Sequence, residues 1–302
     1  MSWLIFAFSG PVLWAISTHL DKYLVERFFK HSDVAVLLIF TAFIGVVTLP
    51  FIAYFVPAFA SPRPGSLALI MLSGILYMGA MLFYLRALQW EEASVVAPFF
   101  QAVPLFGYGL AYLFLGETLS PRQIAGGALI VVGTLFVSIR IGSDGSVFKL
   151  RLALQMLACG FAAALSGLIF KIFALEVDFW TTAFWMFVGE AIFGAALLAV
   201  SSYRRELVAV LRKNASAFLS INASNELINL GGGLGNRYAL TLAPLSLVQA
   251  IGSTTTLFVF AFGILLSLFF PRVSRESLSP NELMQKGAAA ILVAGGVALV
   301  AH

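Results

Sequence analysis

Val34-Ala-Val-Leu-Leu-Ile-Phe-Thr-Ala-Phe-Ile-Gly-Val-Val-Thr-Leu-Pro-Phe-Ile-Ala-Tyr-Phe-Val56 contains no charged side chain. It is apolar on every face of a helix, and about 20 such residues suffice to cross the hydrocarbon core of a bilayer. A helix on the surface of a soluble protein keeps a polar stripe, and this stretch has none. Working outward, nine further runs have the same character: 3–27, 66–88, 93–115, 121–140, 151–175, 180–202, 216–240, 245–269 and 280–300. The joints are short, the longest being 141–150, 203–215 and 270–279. The strands of a membrane β-barrel alternate apolar and polar residues in segments of about 10. These runs are uniformly apolar and twice as long, so the expected class is an all-α integral membrane protein of ten transmembrane helices.

Composition agrees. The 302 residues are 61% hydrophobic and 11% charged, where a soluble domain carries roughly 25% charged residues. That excludes a typical soluble enzyme, a nucleic-acid binder and a disordered chain. The one cysteine, Cys159, permits no intrachain disulfide. His19, His31 and His302 have no ligand spacing, so neither a metal site nor any other cofactor is expected. The start, Met1-Ser2-Trp3, lacks the basic residues of a cleaved signal, and the apolar run continues to about Tyr23. It reads as the first span.

Lys and Arg in short loops set orientation. The joints after spans 1, 3, 5, 7 and 9 carry Arg27, Lys30, Arg140, Lys149, Arg151, Arg204, Arg205, Arg212, Lys213, Arg272, Arg275 and Lys286. The opposite side carries Arg63 and Arg122. Lys22, Arg86, Lys171 and Arg237 lie inside spans and are left out. The bias places the odd joints in the cytoplasm and both chain ends outside.

The chain divides at Gly142-Ser-Asp-Gly-Ser146, a turn-rich stretch, into 1–140, a linker at 141–150, and 151–302. The halves echo each other. Ser17 and Lys22 correspond to Ser166 and Lys171, and Ala87-Leu88 with Ser94 and Val96 to Ala239-Leu240 with Ser246 and Val248. Leu119-Ser-Pro121 recurs as Leu278-Ser-Pro280. Each triplet reads as a capping box with proline at the first helical position, closed by Gln123 or Glu282. Because five is odd, tandem five-helix units must be inverted, a signature of secondary transporters whose site lies at the repeat interface.

The segment Tyr84-Leu-Arg-Ala-Leu-Gln-Trp-Glu-Glu-Ala-Ser-Val-Val-Ala-Pro98, then Pro104-Leu-Phe106, Leu115-Gly-Glu-Thr-Leu-Ser-Pro-Arg-Gln123 and the Gly-rich run ending Val132-Gly133, resembles the EamA-type repeat of the drug/metabolite transporter superfamily. In the second half the Gly-Glu pair is replaced by Leu268-Phe269. The resemblance implies a bundle of two inverted repeats that moves small metabolites by alternating access. It does not fix the substrate, and members are usually drawn with both termini in the cytoplasm, opposite to the charge bias.

Polar groups at membrane depth are expensive and point to function. Glu190 falls within about one residue of the middle of span 7, so roughly 2 Å from the midplane. Glu226 falls about two residues, roughly 3 Å, from the middle of span 8. Asn222, Asn225 and Asn229 share its helical face, which must look into a cavity or a partner helix. The alternative for Glu190 is a protonated carboxyl bonded to a neighbouring helix, and for the stripe on span 8 a structural polar seam between helices. Gly231-Gly-Gly-Leu-Gly235 is better read as close helix packing than as an unwound segment, and it lacks the context of a phosphate loop. Lys22 and Lys171 either snorkel to the interface or present cations at the two mouths. His19 lies one turn from Lys22, beside Asp21, and reads first as a packed hydrogen-bonding residue. Gln101 lies between Pro98 and Pro104 in span 4, where mid-helix proline kinks, and Gln249 with Ser253-Thr-Thr-Thr256 lies at the matching depth of span 9. Tyr77, Trp14, Tyr108 and Trp185 could stack on a substrate or simply pack. Glu117 reads as structural, at the membrane edge.

The expectation is a secondary transporter of a small polar metabolite, amino-acid-like or drug-like, proton-coupled or exchanging, in contact with membrane lipid but not nucleic acid, as monomer or homodimer, in a bacterial cytoplasmic membrane. The substrate or coupling candidates are Glu190, Glu226, Asn222, Asn225, Asn229, Gln101, Gln249, His19, Lys22, Lys171 and Tyr77. An intramembrane lipid-modifying enzyme would need a nucleophile–base pair or clustered ligands at depth. A non-transporting membrane protein would not need midplane carboxylates.

Overall fold

The computed structural model describes residues 2–28, 33–56, 62–90, 102–138, 150–269 and 280–301. All regular structure among them is helical, in eleven helices. The first half supplies α1 (Ser2–Phe28), α2 (Ala35–Phe55), α3 (Pro64–Trp90), α4 (Val103–Leu115) and α5 (Pro121–Ser138). The second supplies α6 (Leu150–Glu176), α7 (Phe179–Ala199), α8 (Ser201–Leu242), α9 (Leu245–Ser253), α10 (Thr255–Phe269) and α11 (Pro280–Ala301). Six stretches are long and apolar enough to cross a membrane: those within α1, α2, α3, α6 and α7, and 245–266 across α9 and α10. Two shorter apolar helical stretches are Val103–Leu115 and Gly287–Val300.

Three features differ from the sequence reading. The joint 203–215 is helical, so α8 runs 42 residues, roughly 63 Å at 1.5 Å per residue. Arg204, Arg205, Arg212 and Lys213 make that stretch too polar for lipid, but Arg and Lys are good helix formers. Its apolar face packs Leu207, Val210, Leu211 and Phe218 onto Leu24, Val36, Leu37 and Phe40. The ninth span is broken at Thr254. There the hydroxyls of Ser253, Thr254 and Thr255 each donate to the carbonyl three residues back, at 2.7, 2.6 and 2.7 Å, a local pattern that competes with the helical ladder. Pro104 stands in the first turn of α4, where its missing N–H is no loss, rather than at a mid-helix kink. Pro98 lies outside the described residues.

The most extensive packing joins α1 to α8, α5 to α11, α3 to α6, and both α2 and α3 to α7. In each pair one helix precedes the 141–150 segment and the other follows it. The pairs α1 with α8, α5 with α11, α3 with α6 and α2 with α7 are antiparallel. Gly10 meets Asn236 while Ser17 bonds Asn225. Ser166 bonds Ser73 while Gln155 bonds Phe83. On α2 and α7, Ala42 meets Gly194 and Gly45 meets Phe187. Glycine permits the closest crossings. A Cβ added to Gly126 would lie 2.7 Å from the carbonyl oxygen of Gly296, and one on Gly296 would lie 2.6 Å from that of Gly126.

The Ser120 capping box is formed: Gln123 N–H donates to Ser120 Oγ at 3.2 Å and Ser120 N–H to Gln123 Oε1 at 3.0 Å. Ser279 lies outside the described residues. The Gly231–Gly235 run is continuous helix lying against Leu13, Trp14 and Ser9 of α1, which is the packing role expected of it.

Candidate functional site at the α7–α8 seam

Gly189 and Gly74 let α7 and α3 touch backbone to backbone: a Cβ on Gly189 would strike the carbonyl of Met71, and one on Gly74 that of Met186. This crossing fixes the next residue, Glu190, 3% exposed, in the protein interior. Glu190 Oε1 accepts a hydrogen bond from Arg237 Nη2 of α8 at 3.1 Å. The guanidinium carbon lies 5.0 Å from the ring centroid of Tyr77, 5.7 Å from Phe187 and 5.9 Å from Phe170. Desolvated cation–π contacts of this kind contribute about 2 kcal/mol or more.

Further along α8, Glu226 is 5% exposed, and its Oε1 accepts from Thr41 Oγ1 of α2 at 2.8 Å. Asn225 bridges to α1: its Nδ2 donates to Asp21 Oδ1 at 2.6 Å, and its Oδ1 accepts from Ser17 Oγ at 2.7 Å. Asn222, one turn before Glu226, is 2% exposed, and its Oδ1 has no hydrogen-bond partner. Asn229 is half-buried. The asparagine-and-glutamate face of α8 therefore looks inward, onto α1 and α2. Glu226 is close enough to Asp21 and Glu190 to interact electrostatically with both.

The structure thus brings together Glu190, Glu226, Asn222, Asn225 and Tyr77. The others lie elsewhere. Lys171 does not snorkel: it is 5% exposed, ion-paired with Glu117, and donates to the carbonyl oxygen of Ala243 at 2.7 Å. Glu117 Oε2 in turn accepts the N–H of Leu245 at 3.0 Å, placing negative charge at the N-terminus of α9, where the helix dipole favours it. Gly116, with φ +63°, makes the left-handed turn that ends α4 just before Glu117, a conformation glycine adopts without the Cβ penalty. Lys171 and Glu117 so tie α4, α6 and the α8–α9 turn together. His19 Nε2 lies 2.9 Å from the carbonyl oxygen of Val259 in α10, a packing contact. Gln249 is wedged against Gly107 of α4 and Gly167 of α6, its Oε1 buried and unpartnered. The Lys22 side chain and Gln101 lie outside the described residues. Trp14 packs on Gly10 and Gly232, and Trp185 makes an edge contact with Phe184. Tyr108, 37% exposed, pairs with Tyr112.

Sequence reasoning missed Arg237, Thr41, Asp21 and Ser17. For Arg237 the signal was present: a lone arginine inside a span, set aside when loop charges were counted. Among the described residues no group of three or more His, Cys, Asp or Glu is placed to hold a metal ion.

No curated protein matches the chain in sequence. Among solved structures, one described as "Crystal structure of protein" shares the fold with a TM-score of 0.69, covering 99% of this chain and 96% of its own at 17% identity. The family model described as the EamA-like transporter family matches residues 1–139, the half that contains Tyr77, Thr41, Asp21 and the Gly116-Glu117 turn. By that match the first half of the chain is similar to the EamA-like transporter family.

Proposed function

We propose that the protein is a secondary transporter, not an enzyme, that moves a small polar metabolite by alternating access. The ten spans form two inverted five-helix units, 1–140 and 151–302, with α9 and α10 together counting as the ninth span. Two hydrogen bonds support the inversion. The offset that carries Ala87 onto Ala239 also carries Ser73 onto Asn225, and Ser17 corresponds to Ser166. Under this mapping Ser17 to Asn225 and Ser166 to Ser73 are symmetry mates, joining spans 1 and 8 and spans 6 and 3. The discontinuous ninth span is also a recurrent feature of such transporters.

The observation that carries the reading is the buried charged seam of Glu190, Arg237 and Glu226 where helices of the two halves meet. A structural role alone would not need three ionisable groups at this depth. Glu190 and Glu226 act as proton or substrate sites, with Asn222, Asn225 and Tyr77 beside them. The protein lies in a bacterial cytoplasmic membrane, with the basic odd joints in the cytoplasm. Uptake into proteoliposomes with and without a pH gradient tests the function. Glu190→Gln and Glu226→Gln are each expected to abolish gradient-driven uptake, and full retention by either variant removes that residue from coupling.

A further inference from the structure

Deepening the transport reading, on which it rests, a second question is which chemical class the seam accepts. Its groups do not balance. Around the middle of α8 the acceptors are the Glu226 carboxylate, the Asp21 carboxylate and Asn222 Oδ1. Among the described side chains, the donors that reach these groups are Thr41 Oγ1 on Glu226, Asn225 Nδ2 on Asp21, and Ser17 Oγ on Asn225. Asn222 Oδ1 is left buried with no partner. An unsatisfied buried acceptor typically costs about 1–3 kcal/mol, and a carboxylate one turn away on the same face deepens the deficit of positive hydrogens.

Among the described side chains, the cation at this seam is Arg237, and it is engaged by Glu190 and by three aromatic rings. A substrate carboxylate near Glu226 would meet the like charges of Asp21 and Glu190. A group with several N–H donors, positive charge and no acceptor is what complements these described acceptors, and an alkylammonium has those properties.

We propose that Glu226 and the unpartnered Asn222 Oδ1 form the binding site for the ammonium group of a cationic amine.

The test compares three probes of matched size on the full-length protein in detergent: 2-phenylethylammonium, neutral 2-phenylethanol and anionic 3-phenylpropionate. Calorimetric titration is expected to detect the ammonium probe and neither counterpart. Glu226→Gln is expected to weaken binding by about tenfold or more, the loss of a charge-assisted hydrogen bond. Asn222→Leu removes the second acceptor without altering a charge and serves if the first variant fails to fold; it is expected to weaken binding severalfold. Equal binding of the alcohol or the carboxylate overturns the proposal, as does ammonium binding indifferent to both substitutions. Counterflow of the same probes in proteoliposomes separates the two readings. Glu226-dependent amine binding with no flux of any probe upholds the site and removes transport. Flux of the alcohol or the carboxylate without amine binding does the reverse.

Discussion

Arg237 shows how a single side chain organises the seam. Its guanidinium lies over Gly233, one turn back along α8, and meets Glu190 with both side chains largely shielded, 11% and 4% exposed. Removing one partner of such a pair leaves the other charge buried and uncompensated, whereas removing both restores neutrality. Arg237→Leu is therefore expected to destabilise the protein by about 3 kcal/mol or more, and Glu190→Leu/Arg237→Leu by distinctly less. Thermal unfolding of the three proteins in one detergent checks this; equal losses in the single and double variants would show that the pair is not coupled. At this scale the sequence was partly legible. Glu190, Glu226 and the asparagines are conspicuous because a carboxylate or amide in an apolar run has no bland surroundings. Arg237 sits in the same kind of run, where its place inside a span leaves it out of the loop charges that set topology. Thr41 and Ser17 are ordinary residues in apolar helices, and their partners are far away in the chain, at Glu226 and Asn225. Nothing local marks them.

The helices are legible in place wherever hydropathy and helicity coincide, as in α2, α6 and α7. They diverge in α8 and in α9–α10. Hydropathy reports which solvent a stretch tolerates, so it starts the eighth span only after the arginines, while the backbone is already helical through them because those residues favour it. Conversely, Ser253-Thr-Thr-Thr256 lies in an apolar stretch, and its hydroxyls redirect the carbonyls locally. The crossing of α3 and α7 is the element-level feature on which Glu190 depends. Gly189→Ala forces a methyl group into the Met71 carbonyl, which neither backbone can yield cheaply. Overpacking of this sort costs about 1–3 kcal/mol, and it also moves Glu190 off Arg237. Gly65→Ala, with nothing within 4 Å of the new Cβ, is the matched control and is expected to leave stability unchanged. Comparable melting temperatures for the two variants would remove the close crossing as a determinant of the site.

Over the whole molecule, the most extensive packing among the described residues joins a helix before the 141–150 segment to one after it. The weak sequence echo between Ser17 and Ser166 becomes physically intelligible here, since both hydroxyls hold a helix of the opposite half. Charged residues are distributed as unevenly in the sequence as any feature of this chain, and they make a prediction that packing cannot. The charge bias assigns the odd joints to the cytoplasm, against the orientation usually drawn for relatives. The chain suits a direct test because Cys159 is its one cysteine, fully buried and hydrogen-bonded to the carbonyl of Ala80 at 3.2 Å, so it contributes little background to thiol labelling. Gly65→Cys and Ala215→Cys each place a thiol at an exposed position, the first beside Arg63 on the sparsely charged side and the second next to Arg212 and Lys213 on the basic side. With a membrane-impermeant maleimide on intact cells, Gly65→Cys is expected to label directly and Ala215→Cys after permeabilisation. The opposite pattern would place both chain ends in the cytoplasm and show that charges in these short loops do not set the orientation of this bundle.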